Sequence, residues 1–166
     1  KVAKLEAYVD KVSNKPLIEA TLKPADIISE EKNEKYGITK WKFKNDITVT
    51  VKPTDFNNDK ILFSSYSPGG WSITDRKDFY SGLGEFDATM LDKKLAGKTV
   101  NCTPSISALY QGLSGSCAPK DLQTLMELIY GYHTMPRIDD DAFAASMEAR
   151  RTALKNKSVN PQSVYN

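Results

Sequence analysis

This chain is poor in histidine, in cysteine and in long apolar runs. It has one histidine, His133, and two cysteines among 166 residues. A zinc site with two histidine ligands therefore cannot be built from this chain alone. The cysteines, Cys102 and Cys117, lack the C-x-x-C spacing of a metal-binding pair. No apolar run approaches the length that spans a bilayer, and no signal peptide is visible.

An excess of charge of one sign is also absent. The chain has 23 basic and 21 acidic residues, mixed along its length, for a net charge of +2. This balance gives no electrostatic footprint for nucleic acid or for an anionic membrane. The first residue is Lys1 rather than methionine. We therefore expect a piece of a longer protein, which holds one domain and parts of its neighbours.

The first part of the chain predicts a boundary between domains. Apolar residues recur at helical spacing over residues 2–12, which predicts the tail helix of a preceding domain at residues 1–14. Residues 15–35 combine prolines with the charged run EEK and predict a linker. The domain itself is then expected at residues 36–166.

Alternation of apolar and polar residues predicts the first strands. Residues 41–51 alternate on both sides of the turn signal Lys44-Asn45-Asp46, so we expect a β-hairpin with one solvated face. A third strand is expected at residues 61–66. It should end in a turn formed by Ser67, Pro68, Gly69 and Gly70.

Helical spacing and capping residues predict three helices. Asp87 is expected to cap a short helix, and Asp139 to open the last one. The last helix should bury Phe143, Met147 and Leu154. Between them, after Pro119, a helix should bury an apolar stripe of Leu122, Leu125, Met126, Ile129 and Tyr132. This order of elements indicates an α+β fold, with a mostly antiparallel sheet and helices packed on one face.

The two cysteines lie on either side of a hairpin predicted at residues 99–115. If its turn lies near Leu109-Tyr110, Cys102 and Cys117 face each other and a disulfide is geometrically possible. The alternative is a pair of small buried thiols. A disulfide would imply an oxidising compartment, such as a periplasm or the cell envelope.

Other candidate sites have simpler interpretations. The run Asp139-Asp140-Asp141 lacks the glycine and further oxygen ligands of a calcium loop and is typical of a helix N-terminus. His133 is expected at a helix C-terminus, where the dipole favours it, rather than on a metal. The glycines at residues 67–70 lack the lysine of a phosphate-binding loop.

Several segments resemble one protein family in the order expected for it. They are NDITVTVKPTDF (45–56), SPGG (67–70), LAGK (95–98), GSCAPKDL (115–122), and PR followed by DDAF (136–143). These segments resemble the pitrilysin (insulinase-like) zinc metallopeptidases. The resemblance covers roughly residues 36–166.

The resemblance implies a role without catalysis. Members of this family consist of two related halves that close around a chamber, and only the first half carries the H-x-x-E-H helix that holds zinc. This chain is similar to the first domain of the second half, which lacks that motif. No zinc is then bound by this chain, and zinc is expected in the catalytic half of the parent polypeptide. That half and the peptide substrates would be its partners, and Ser67–Gly70 would lie at the chamber wall.

The chain departs from the family in two places. Relatives have a further helix between the counterparts of Ser81 and Gly82, which are adjacent here. Either that helix is deleted or residues are omitted from this sequence. Asp46 stands where relatives usually have a glycine, although the turn requires a backbone that favours glycine. A scaffold that kept the fold without proteolysis, or an unrelated α+β domain, are the alternatives.

Overall fold

The computed structural model describes residues 13–69 and 81–156. The predicted helix at residues 2–12 and Gly70 lie outside these ranges. The chain divides into two compact units. One is Glu19–Lys60, and the other takes in the described residues up to Ile18 and from Ile61 onward.

The smaller unit is a three-stranded antiparallel sheet. Its strands are β1 (Ile27–Asn33), β2 (Ile38–Phe43) and β3 (Thr48–Val51), in the order β1-β2-β3. The linker prediction for residues 15–35 is therefore wrong at β1. Its charged residues have cross-strand partners, because Glu31 lies opposite Lys40 and the Nε1 of Trp41 donates to Glu30 at 3.1 Å.

The two faces of this small sheet differ in polarity. Trp41 and Val49 are paired on one face, while Lys40 and Thr50 are paired on the other. The predicted hairpin is thus confirmed, but β3 is exposed on both faces, so the expectation of a single solvated face is wrong. Its turn has Asp46 in the left-handed region, at φ 65°.

The larger unit has a sheet built around one central strand, β9 (Tyr110–Cys117). On one side β9 pairs with β8 (Val100–Ile106), and on the other with β4 (Ile61–Ser64) and β5 (Ser67–Pro68). Every pairing is antiparallel. Among the described strands β8 is therefore an edge, and it contains Pro104 opposite Leu113.

The described part of this unit has three α-helices: α1 (Ala88–Leu95), α2 (Leu122–Thr134) and α3 (Asp140–Lys155). Helix α2 packs on β8 and β9. A short hairpin of β6 (Gly82–Leu83) and β7 (Phe86–Asp87) precedes α1. The α+β class is thus confirmed. No helix in the described ranges is both long and apolar enough to cross a membrane.

The core of the larger unit centres on Leu83, which has no exposed surface. It lies against Gly131 of α2, where a Cβ atom would stand 2.7 Å from the Leu83 Cδ2. The backbone N–H of Gly84 donates to the carbonyl of Met135 at 3.0 Å, and Leu83 forms a β-bridge with Pro136. The β6–β7 hairpin is therefore fixed to the end of α2 by both packing and backbone bonds.

The start of the described chain also joins this core. Leu17 is buried in the cluster that contains Leu83 and Leu128. The Nζ of Lys94, on α1, donates to the carbonyl of Lys15 at 2.6 Å and to that of Ser13 at 3.1 Å. The linker prediction is therefore wrong here too, because Leu17 and Ile18 pack against the core of the larger unit.

The caps of α1 and α3 agree with the sequence. Asp87 accepts from the N–H of Met90 at 2.8 Å, and Asp139 accepts from the N–H groups of Asp141 and Ala142. These bonds satisfy amide groups that would otherwise lack an acceptor at the helix start. The aspartate run thus serves as a helix terminus.

The predicted buried stripe of α2 needs a correction. The buried residues of the helix are Thr124, Leu125, Leu128 and Gly131, while Leu122 and Met126 are exposed. The helix is rotated relative to the prediction, because Gly131 allows the close approach of Leu83. Leu128 was missed for this reason.

The predicted burial of α3 is also wrong within the described part of the chain. Phe143 is 37% exposed and Leu154 is 71% exposed, and α3 has no buried residue. Its apolar side chains therefore have no complete packing layer among the described residues.

We expect the contact between Leu83 and Gly131 to behave as a coupled pair. Leu83→Ala should lower the free energy of unfolding by about 2–5 kcal/mol, because it leaves a cavity. Gly131→Ala should lower it by about 1–3 kcal/mol through overpacking, offset in part by ~1 kcal/mol of helix propensity. In the double variant the new methyl group fills the cavity, so its cost should be less than the sum.

The double-mutant cycle can be measured by chemical denaturation. Leu154→Ala is the matched control, and this exposed site should change the unfolding free energy by no more than about 0.5 kcal/mol. Additive effects of the two core substitutions would contradict the contact.

The turn of the smaller sheet provides a test in the opposite direction. Asp46→Gly should stabilise the hairpin, because the left-handed backbone costs ~1–2 kcal/mol for a residue with a Cβ atom. Glycine loses more conformational entropy on folding than aspartate, but this costs only ~0.5–1 kcal/mol, which is less than the strain removed. The exposed ion pair with Lys42, at 3.3 Å, contributes little. Hydrogen exchange of the β2 and β3 amides should slow in Asp46→Gly and change less in Asp46→Asn. Faster exchange in the glycine variant would refute the strain.

Candidate functional site

A metal centre is not found in the described residues. No group of three or more histidine, cysteine, aspartate or glutamate side chains among them could hold an ion. His133 is exposed in the last turn of α2. Asp139 is engaged by Arg137 at 3.1 Å and by the backbone of α3. The amide of Ala142 and then the Arg137 guanidinium lower the pKa of Asp139, so it stays ionised as a cap.

The cysteines lie on the same face of the sheet but not opposite each other. Cys102 is paired with Gly115, and Cys117 is paired with Val100. The hairpin turn closes one residue earlier than expected, because the N–H of Tyr110 donates to the Oγ of Ser107 at 3.0 Å. The prediction that the cysteines face each other is therefore wrong in register. Both thiols are free in this structure.

The surroundings of both thiols favour the neutral form. Burial raises the pKa of Cys102 to about 11. Burial and then the carboxylate of Asp121 raise the pKa of Cys117. Burial raises the pKa of the neighbouring Tyr132, and the negative charges of Cys102 and Asp92 raise it further. These groups fit a packed core and not a nucleophilic site, which needs a stabilised thiolate.

The predicted turn at residues 67–70 has a different structure where it is described. Ser67 and Pro68 form β5, opposite Gln111 and Tyr110 of β9. The N–H of Gly69 then donates to the carbonyl of Leu109 at 2.9 Å. The turn prediction is therefore wrong for Ser67 and Pro68, because β9 extends far enough to pair with them. Gly70 lies outside the described residues.

Ser81 leads directly into β6, where the family resemblance predicts a further helix. Ser81 is buried, and its hydroxyl has no hydrogen-bond partner in the described part of the chain. Gly82 is held close to β7, because a Cβ atom there would overlap the carbonyl oxygen of Phe86. The deletion or omission of the helix stays a prediction.

The main sheet has an outer face that turns away from α2. Side chains alternate along its strands, so the residues next to Gly115 and Cys117 on β9 point to this face. In β9 they include Ser114 and Ser116. A shallow, open hollow lies over this face. It is lined mainly by small side chains, which are Ser64, Asn101, Thr103, Ser114 and Ser116.

Near this hollow, two side-chain oxygens accept hydrogen bonds from backbone N–H groups of β9. The N–H of Leu113 donates to the Oγ of Ser65 at 3.0 Å, and the N–H of Ser116 donates to the Oδ1 of Asn101 at 2.9 Å. In both places a glycine on β9 leaves room for the backbone carbonyl of the same residue. A Cβ atom at Gly112 would collide with the carbonyl of Ser65, and one at Gly115 with that of Asn101. Sequence analysis did not identify this arrangement, although the glycines within β9 are a signal for close backbone approach.

Comparisons with known proteins place the chain beside zinc proteases. No family model matches it. It is 26% identical over 157 residues to a zinc protease PQQL-like protein of Arabidopsis thaliana, and the match takes in 93% of this chain and 14% of that protein. Its fold resembles that of the ferredoxin protease FusC, solved as a mutant in complex with Arabidopsis ferredoxin. The TM-score is 0.76 at 16% identity, over 99% of this chain and 20% of that one.

The second likeness shows a shared fold alone, and the first is a resemblance in sequence to a protein named as a zinc protease. The chain spans only about 14% of the length of the curated relative that it matches.

We expect the cysteines to be slow to alkylate in the folded chain. The pKa of Cys102, about 11, lies above that of an unfolded cysteine, which is about 8.5. The rise of the iodoacetamide rate with pH should therefore be displaced to higher pH in the native chain. Mass spectrometry of Cys117→Ala isolates Cys102, and the urea-unfolded chain is the control. A disulfide-linked peptide, or native alkylation with an unfolded pH profile, would contradict the free, buried thiols.

Proposed function

We propose that this chain is a non-catalytic domain of a two-half zinc endopeptidase, which walls the chamber where peptides are degraded. The observation that carries the proposal is the combination of its fold with its single histidine. The fold is similar to that of a protease over 99% of the chain, yet the chain has one histidine, which is too few for the zinc motif of the family.

The size of the relatives supports a division of labour within one polypeptide. This chain corresponds to 20% of the solved protease, so most of such a protein lies in other domains. Zinc, which activates water and polarises the scissile carbonyl, would belong to the catalytic half. The part assigned to this chain is enclosure of the substrate and packing against that half.

Exposed apolar residues support such packing. On α2, Leu122 is 37% exposed and Met126 is 48% exposed, one turn apart on the same side of the helix. On α3, Leu154 is 71% exposed. Helices in folded proteins gain most of their stability from packing of an apolar face. A covering layer from the rest of the parent polypeptide would supply it.

The proposal is tested by comparing the chain with its parent. The purified chain with added zinc should retain no stoichiometric metal and cleave no quenched fluorescent peptide. The parent polypeptide should do both, and lose cleavage on chelation. Substitution of the glutamate in its H-x-x-E-H motif is the control for the catalytic half.

Two results would refute the proposal. Zinc-dependent cleavage by this chain alone would assign it a catalytic role. A parent without H-x-x-E-H and without peptidase activity would instead favour the scaffold that kept the fold.

A further inference from the structure

The outer face of the main sheet carries no formal charge among its described strand residues. These are Leu62 and Ser64 on β4, Pro68 on β5, Asn101, Thr103 and Ser105 on β8, and Tyr110, Gly112, Ser114 and Ser116 on β9. Charged residues make up 27% of the whole chain. The outer face is largely exposed, so the lack of charge is not explained by burial.

The smaller sheet provides a comparison within the same chain. Its polar face carries Lys40 and Lys42 on β2 and Glu31 on β1. Lys40 and Glu31 even form an ion pair, at 3.8 Å. Exposed strands of this chain therefore do carry charges in ordinary contact with water. The uncharged face of the main sheet differs from them in a way that composition does not explain.

The shape of this face suits an elongated, flexible occupant. Its centre is formed by small side chains and lies in the shallow hollow, with Leu62 at the rim, 75% exposed. Farther along β9, Tyr66 and Tyr110 contact each other edge to face, with ring centroids 6.0 Å apart. Tyr66 is 79% exposed and Tyr110 is 51% exposed. The face thus has hydroxyl groups in the hollow and two exposed tyrosine rings at one end.

A permanent contact with another folded domain fits this face poorly. The buried centres of such interfaces are rich in large apolar and aromatic residues, whereas the centre here is formed by serines, a threonine and an asparagine. If a folded surface covered these side chains, their polar groups would lose contact with water. Each group without a hydrogen-bond partner would then cost free energy. The exposed Leu122 and Met126 of α2 suit domain packing better.

We propose that the outer face of the main sheet is the surface on which extended substrate polypeptide rests. This rests on the proposed function, because it makes this face part of the chamber wall. Hydroxyl and amide groups can both donate to and accept from a peptide backbone. The absence of charge lets segments of either sign pass without strong repulsion or capture. Tyr66 and Tyr110 provide contact area for apolar side chains.

The experiment places one charge of either sign in the hollow, within the parent polypeptide. Ser114→Lys and Ser114→Glu are compared on two fluorogenic peptides with the same scissile sequence, one with lysine-rich and one with glutamate-rich flanks. At low salt, Ser114→Lys should lower kcat/KM for the basic peptide and raise it for the acidic peptide, by about threefold each, with the reverse for Ser114→Glu. The selectivity should fade as added salt shortens the Debye length to ~3 Å at 1 M.

Controls separate charge selectivity from general effects. Thr50→Lys and Thr50→Glu place the same charges on the polar face of the smaller sheet and should leave the ratio of the two kcat/KM values unchanged. Ser114→Thr, which keeps the hydroxyl, should behave like the unaltered protein. Thermal unfolding of each variant shows whether the fold is retained.

Three results would overturn the proposal. They are an unchanged preference between the two peptides, the same preference shift in the Thr50 variants, and equal loss on both peptides together with a lower unfolding midpoint. The last would assign the face to domain packing. If the unaltered parent cleaves neither peptide, the proposed function fails, and fluorescence anisotropy of the labelled peptides on the same variants still decides whether this face binds them.

Discussion

The larger unit depends on the close approach of Leu83 to Gly131. This contact brings a two-stranded hairpin within van der Waals reach of the α2 backbone, and the bond from Gly84 to Met135 fixes the two elements at the same place. Helix α1 follows the hairpin directly, and α2 covers the inner face of β8 and β9. The rotation of α2 that admits Leu83 also turns Leu122 and Met126 outward. One small residue thus determines which side of the helix joins the core and which side stays exposed among the described residues.

Features set by local chemistry could be predicted from the sequence. Asp87 and Asp139 cap helices because their carboxylates reach amides within the first turn, and the turn at Asp46 follows from the short polar residues there. The α+β class follows from the alternating apolar pattern of the strands and the helical spacing of apolar residues in the helices. Features set by distant partners were missed. β1 has too many charges to be recognised as a strand until Lys40 and Trp41 are known to lie opposite Glu31 and Glu30.

The candidate site shows the same limit. The cysteines could be assigned to one hairpin, but a turn displaced by one residue through Ser107 changed the partner of each. The outer face of the main sheet was missed altogether. Its character comes from residues in three stretches of chain that only strand pairing brings together. Apart from Gly112, a glycine within a strand, none of those residues has a type or spacing that would mark it in the sequence.

Pro104 has a consequence for how the sheet meets other chains. Both backbone groups of Leu113, the residue opposite, are engaged with Ser65 on the far side of β9. The missing N–H of Pro104 therefore falls on the open side of β8, where an incoming strand would look for a donor. A gap of this kind interrupts edge-to-edge association. The β8 edge, as the described residues form it, would then resist being extended by a strand from another chain.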